Sequence, residues 1–422
     1  MRFTLLLSLL GLLVAATTIV SAQQGDPLAR AKALAGQQPV IDGHNDYPWA
    51  LRQSTPDRDL DTLDIREPQK KTMTDIPRLR EGGVGAQFWS VYVPATMEGQ
   101  TAIRATMEQI DIVHRMMQKY DRVFELALTA EDAERIYKSG RIASMIGMEG
   151  GHAIDSSLAV LRMFHALGAR YMTLTHSSNI AWADSATDVP KLGGLSKFGE
   201  EVVREMNRLG MLVDLSHVSP DSMADALRVS EAPVIFSHSS SRGVADHPRN
   251  VPDDILKLLP KNGGVVMVTF VPGFVNPAAA ERRKAQIAEE DRLKAQYPND
   301  ADTVKQGLQA WTKANPEPPA TVQMVADHVD HIRQVAGIDH IGLGGDFDGI
   351  ETVIVGLEDV SKYPNLTAEL LKRGYTDADI RKILGGNLLR AWKQVEVVSA
   401  RLQKERKPST ALIEQLDGVG QK

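Results

Sequence analysis

MLVDLSHVSPDSMADALRVSEAPVIFSHS, residues 211–239, reads as strand, helix and strand. Residues 211–215 and 233–237 are short apolar runs, and residues 220–229 between them carry apolar side chains at three- and four-residue intervals. Each run stops at a histidine, His217 after the first and His238 after the second. Two neighbouring strands joined through a helix run the same way, so both imidazoles emerge at one edge of a parallel sheet.

Outward from this unit the pattern repeats. VIDGHND (40–46), ASMIGMEGG (143–151), YMTLTHS (171–177) and HIGLGGDFD (340–348) are further apolar runs that stop at a metal-binding or proton-carrying side chain. Eight strand-like runs fall near 39–43, 85–93, 142–148, 170–175, 211–215, 233–237, 264–270 and 340–345. Helical periodicity covers 101–120, 130–139, 156–167, 196–209, 220–229, 321–335 and 376–384. The strands are apolar almost throughout, as when both faces are buried, which favours a (β/α)8 TIM-type barrel. An open doubly wound sheet is the alternative.

Composition narrows the chemistry. A chain 43% hydrophobic and 24% charged, with net charge -6, is an ordinary globular protein without the basic balance that nucleic acid binding needs. No cysteine is present, which excludes disulfides, thiolate metal sites and cysteine nucleophiles. Residues 1–22 read as an export signal, with Arg2, an apolar run over 3–20 and a small-residue site at Val20-Ser21-Ala22; a retained anchor is the alternative. The mature protein is then expected to be periplasmic or extracellular, with no stable membrane anchor. Residues 23–400 are expected to form one catalytic domain and 401–422 a polar tail. Two segments exceed the simple repeat: 51–80 after the first strand and 275–320 after the seventh, the latter containing the helix former AAAERRKAQIAEEDRLKAQY. Lying after a strand, the second belongs to the catalytic face, either as a helical lid or rim or as a solvated or dimer-contacting surface.

Several of the residues that end strands suit a metal. His44 and Asp46, two apart, point to one face of the first strand. Glu149 ends the third strand beside Gly150 and Gly151, and an unpaired buried carboxylate there would be costly. With His217 and His238 they divide into two clusters around Glu149, the arrangement for two ions about 3.5 to 4 Å apart that share the Glu and a water. Nitrogen and oxygen donors favour zinc, with manganese or cobalt as alternatives. His152, His165, His247, His328, His331 and His340 read as ordinary helix, loop or supporting residues.

DGHNDYPWALR, MEGGHAID, RYMTLTHSSNIAWADS, VDLSHVS, VIFSHSSSR, HPRNVPDD and GGDFDGI followed by GLEDVSKYP resemble the membrane dipeptidase (renal dipeptidase) family of amidohydrolase-like barrels, over about residues 40–392. The resemblance implies a binuclear zinc dipeptidase. His44, Asp46 and Glu149 would hold one ion and Glu149, His217 and His238 the other, with a bridging hydroxide as nucleophile. It further implies His176 as substrate contact and oxyanion stabiliser, Asp346 as acid/base, Arg249 as the grip on the substrate's C-terminal carboxylate, and Trp49 on the pocket wall. Asp348 competes with Asp346, and Arg249 has Asp253 and Asp254 as nearby partners.

The expected function is hydrolysis of dipeptides; the resemblance further implies that a C-terminal D residue is tolerated and some β-lactams are opened, and a homodimer is consistent with it. The alternatives are another binuclear amidohydrolase, acting on N-acyl amino acids, cyclic amides or β-lactams, and an exported binding protein without catalysis.

Overall fold

The computed structural model describes residues 26–55 and 57–418, so the export signal expected over 1–22 lies outside the described residues. Nine parallel strands form one sheet: β1 Val40–Asn45, β2 Val84–Ser90, β3 Phe124–Leu126, β4 Ile142–Glu149, β5 Ala169–Thr173, β6 Leu212–Asp214, β7 Ile235–Phe236, β8 Val265–Val268 and β9 Ile341–Leu343. The order β2-β1-β9-β8-β7-β6-β5-β4 is closed by direct pairing of β2 with β4, Ala86 to Ser90 against Ala143 to Gly147. Closure removes the open-sheet alternative and gives the (β/α)8 barrel.

The eight barrel strands are those expected from the sequence. β3 is additional: it pairs with residues 142–144 of β4, and β5 takes over the same edge of β4 from residue 146 onward. A three-residue strand with one apolar buried position, Phe124, leaves no periodic signal to read.

Every residue of these strands except Glu125 and Leu126 is buried, because helices cover the outside and side chains fill the inside. One apolar cluster lies between sheet and helices; a second includes Ile41, Phe88, Met145, Tyr171, Ile235 and Met267 from the strands. The helix Asn387–Glu405 adds Leu388, Trp392 and Val395 to that second cluster. This helix extends beyond the last one read from the sequence, because the irregular turn over Lys382–Gly386, with non-helical geometry at Gly385, breaks the periodicity before it. The boundary set at residue 400 falls inside it. Beyond it, Ile413–Asp417 forms a short helix on which Ile413 is buried and Asp417 accepts from the Ser196 hydroxyl at 2.6 Å, so the segment read as a polar tail packs back on the domain.

The 275–320 insertion is a helical hairpin, Pro277–Gln296 and Ala301–Ala314. Among the described residues no helix is long and apolar enough to cross a membrane.

Candidate metal centre and substrate pocket

Strand ends deliver the site. His44 lies in β1 and Glu149 is the last residue of β4; His176, His217, His238 and Asp346 follow β5, β6, β7 and β9 by two or three residues. Asp46 stands one residue beyond β1 rather than on it, at φ -95 and ψ 20, and caps the helix Tyr47–Ser54 without a side-chain bond, leaving its carboxylate to the site. His217 (φ 70), Asp346 (φ 62) and Asp348 (φ 67) hold the left-handed conformation that costs side-chain-bearing residues energy. Three such residues at one barrel mouth are a signature of functional strain.

Five side chains converge. His44 Nε2 lies 3.2 Å from Asp46 Oδ2 and 3.4 Å from Glu149 Oε2. The other Glu149 oxygen, Oε1, lies 3.0 Å from His217 Nε2 and 3.5 Å from His238 Nε2. Within each triad, His44–Asp46–Glu149 and Glu149–His217–His238, the donor atoms lie within 4.8 Å of one another, and His44, His238 and Asp346 form a third.

The hydrogen-bond network fixes the inward lone pair of His238, and the Nε2 atoms of His44 and His217 face the same point. The Ser237 hydroxyl donates to Asp214 Oδ2 at 2.6 Å, so it accepts from His238 Nδ1 at 2.8 Å and leaves His238 Nε2 unprotonated. His44 Nδ1 bonds the Tyr171 hydroxyl at 2.7 Å, while His44 Nε2 is buried with no hydrogen-bond partner. His217 Nε2 stands 2.9 Å from His238 Nε2. Lone pairs and carboxylate oxygens pressed together in this way fit cations, and the donor set of imidazole nitrogen and carboxylate oxygen is one that zinc takes. Burial holds His217 and His238 neutral, with Arg249 adding to the effect, which is the form that ligates a metal.

Around this centre opens a cavity of about 760 Å³, walled by Asp46, Trp49, Tyr92, Glu149, His176, His217, Arg249, Asp346 and others. Burial pushes the Asp346 carboxyl well above the ordinary carboxylate range; Asp46 and Glu149 add to this, and His44 and Arg249 oppose it. Asp348 also faces the cavity, but one of its oxygens accepts from the Met73 N–H at 2.5 Å, which ties the 51–80 connection to this turn. Arg249 is buried, its guanidinium pulled down to about 10 by desolvation. It makes only long contacts, to Ser239 Oγ at 3.4 Å and the His238 carbonyl at 3.3 Å, and its Nε has no partner. Asp253 pairs instead with His331 at 2.8 Å, and no described carboxylate forms an ion pair with Arg249. A desolvated guanidinium left so has the charge and donor geometry to pair with a carboxylate.

The sequence pattern of the membrane dipeptidase family (peptidase family M19) matches residues 28–406. The chain belongs to that family. Dipeptidase verJ of Clonostachys rogersoniana is 42% identical over 390 residues, covering 90% of each chain. The structure of the probable dipeptidase PvdM from Pseudomonas aeruginosa superposes with a TM-score of 0.76 at 26% identity, over 88% of this chain and 99% of that one. The metallopeptidase from Rhodobacter sphaeroides, liganded with a phosphinate mimic of the dipeptide L-Ala-D-Ala, shares the fold with a TM-score of 0.69 at 24% identity, over 85% of this chain and 99% of that one. The protein is a dipeptidase of this metallopeptidase family, a peptide hydrolase on a TIM barrel.

For this family member, sequence reasoning missed the supports. Tyr171 holds His44, and Ser90 donates to Glu149 Oε2 at 3.3 Å. Asp42 and Asp214 are buried struts: Asp42 takes the N–H of His44 and of Gly345, and Asp214 takes that of Ser216 and of Ser237. Their signal was the D-x-H and D-x-x-H spacing, with an acid at the last inward position before each ligand. His247, set aside as an ordinary residue, lines the cavity. So do Ala279, Arg282, Arg283, Gln286 and Glu317 of the insertion, which therefore stands on the rim of the pocket.

Proposed function

We propose that the protein is a zinc-dependent dipeptidase in which His44, Asp46 and Glu149 hold one ion and Glu149, His217 and His238 a second. The observation that carries this reading is the single carboxylate of Glu149, one oxygen turned to each histidine cluster, on the same cavity as the unpaired Arg249 guanidinium. Zinc bound there would acidify a water and polarise the scissile carbonyl.

The chain's own groups supply the rest. Arg249 fixes the substrate's C-terminal carboxylate, so a third residue would leave that buried charge unpaired and length is limited to two. His176, on the cavity wall, donates to the carbonyl oxygen as it gains charge. Asp346 takes the proton of the attacking water and returns it to the amine nitrogen as the C–N bond breaks. Trp49, edge-on to Tyr92 at 5.0 Å, walls the side toward the substrate's amino end. The reading includes dipeptides ending in a D residue, supported by the L-Ala-D-Ala mimic bound to the Rhodobacter sphaeroides metallopeptidase.

The test is hydrolysis of Ala-Ala, Gly-D-Ala, Ala-Ala-Ala and N-acetylalanine by zinc-loaded and chelated protein. Turnover of both dipeptides, lost on chelation and restored by zinc, is expected. Preference for N-acetylalanine would move the protein to another class of amidohydrolase, and full activity after metal removal would end the reading. Export through the leader belongs to the same proposal and predicts a mature N-terminus at Gln23.

A further inference from the structure

We propose that His247 and Arg283 form a second carboxylate-binding subsite beside Arg249, and that the enzyme prefers dipeptides whose C-terminal residue is acidic. The inference rests on the Arg249 grip proposed above and names the residue class that grip presents.

His247 Nδ1 lies 3.2 Å from the Arg249 backbone nitrogen and accepts its proton, so the ring's own proton sits on Nε2. The ring stacks on Phe274 with centroids 4.4 Å apart, and the Arg249 guanidinium lies 5.3 Å from the same Phe274 ring. Burial drives the His247 imidazole down to about 3, with Arg283, Arg249 and Arg242 adding to it, so the ring is neutral and a donor. His247 lines the cavity, and its Nε2–H meets no acceptor among the described residues.

Arg283 sits on the helix Pro277–Gln296, on the cavity-facing stripe with Ala279 and Gln286. Its neighbours are occupied. Arg282 donates to the Asn315 carbonyl at 2.6 Å and lies over Trp311, and Lys284 pairs with Asp246 at 2.7 Å and Glu281 at 2.8 Å. Arg283 has no ion-pair partner among the described residues. Asp246, a carboxylate acting on His247, is compensated by Lys284. A side chain leaving the Cα next to the carboxylate held by Arg249 thus enters a region with a free N–H donor and an unpaired guanidinium. A side-chain carboxylate satisfies both; an amide satisfies the donor and leaves the charge; an ammonium is repelled. Glu317 and Glu351, also on the cavity wall, would favour a basic residue, and the test separates that case.

The test compares kcat/KM for Gly-Glu, Gly-Gln and Gly-Lys on the zinc-loaded enzyme at fixed ionic strength. Gly-Glu is expected to exceed Gly-Gln about threefold, chiefly through KM, as for a charge contact to an exposed guanidinium. Arg283→Gln should bring the ratio close to one and Arg283→Glu should take it below one, in proteins whose melting temperature matches the parent's. A Gly-Glu to Gly-Gln ratio at or below one in the parent, a preference for Gly-Lys, or a ratio unchanged by Arg283→Gln would each overturn the subsite. Failure to hydrolyse any of the three would instead remove the dipeptidase reading beneath it.

Discussion

The Tyr171 hydroxyl stands 2.7 Å from His44 Nδ1, and both residues are fully buried. Tyr171 is one member of an aromatic column through the barrel: Trp392 to Phe88 at 6.0 Å, Phe88 to Tyr171 at 4.9 Å, and Tyr171 to His44 at 6.4 Å between centroids. The helix Asn387–Glu405 and the metal centre are therefore joined by packed rings, and the ring orientation of His44 is set from beneath.

Tyr171→Phe keeps the column and removes only the hydroxyl. With Nδ1 left unpaired in the interior, stability should fall by about 1–3 kcal/mol. On the zinc reading proposed above, zinc affinity should fall about 10- to 100-fold, as for loss of a group that orients a metal-bound imidazole. Chelator competition measures the second effect. An unchanged affinity would show that His44 is held by its backbone alone.

Gly147 is the register partner of Tyr171 on β4, and a Cβ there would run into the Tyr171 ring at its hydroxyl end. Gly147→Ala is expected to destabilise by about 1–3 kcal/mol through overpacking. Because the overlap includes the hydroxyl, the double variant Gly147→Ala, Tyr171→Phe should lose less than the sum of the two singles. Urea unfolding of all four proteins tests this; strict additivity would mean the ring had moved away without cost.

What the sequence revealed and what it hid divides along this column. His44, Glu149, His217 and His238 were legible because a polar side chain that ends an apolar strand interrupts a pattern. Tyr171 sits inside its run, where a hydroxyl looks like any aromatic filling the barrel, and Gly147 signals nothing until the strand opposite is known. Asp42 and Asp214 were visible as residues but not as struts, since their partners Gly345 and Ser237 lie on other strands. The insertion's first helix followed from composition, and the second, Ala301–Ala314, was not read. That Arg283 looks into the cavity while Lys284 turns to Asp246 depends on how the hairpin docks, which no local pattern encodes.

Arg249 without a carboxylate partner implies a trade between stability and binding. Replacing it with Met removes a desolvated charge whose hydrogen bonds are long, so the melting temperature should hold or rise, corresponding to about 1 kcal/mol in favour of the fold. The same change should raise KM for dipeptides at least about tenfold and weaken the discrimination against tripeptides. Steady-state kinetics and calorimetry decide it, and an unchanged KM would remove Arg249 from the substrate site.

His328 makes the fold sensitive to acid away from the metal centre. Its Nδ1 accepts from the Ser241 N–H at 3.0 Å and its Nε2 donates to the Val275 carbonyl at 3.0 Å, so the ring is neutral when folded. Burial holds it down to about 4; the Val275 carbonyl and Asp327 oppose that, and His331 adds slightly to it. In the unfolded chain it titrates near 6.5. Between these values the unfolded state binds a proton that the native state refuses. This share of the stability is therefore complete above about pH 6.5 and is lost as the pH falls toward about 4. From pH 7 to pH 5 the loss should be roughly 2 kcal/mol. His328→Asn, whose carbonyl oxygen can still accept from Ser241, should show a smaller drop by about that amount in denaturant unfolding at the two pH values. Equal drops in parent and variant would mean that the imidazole is already charged, or that it is exposed, in the native protein.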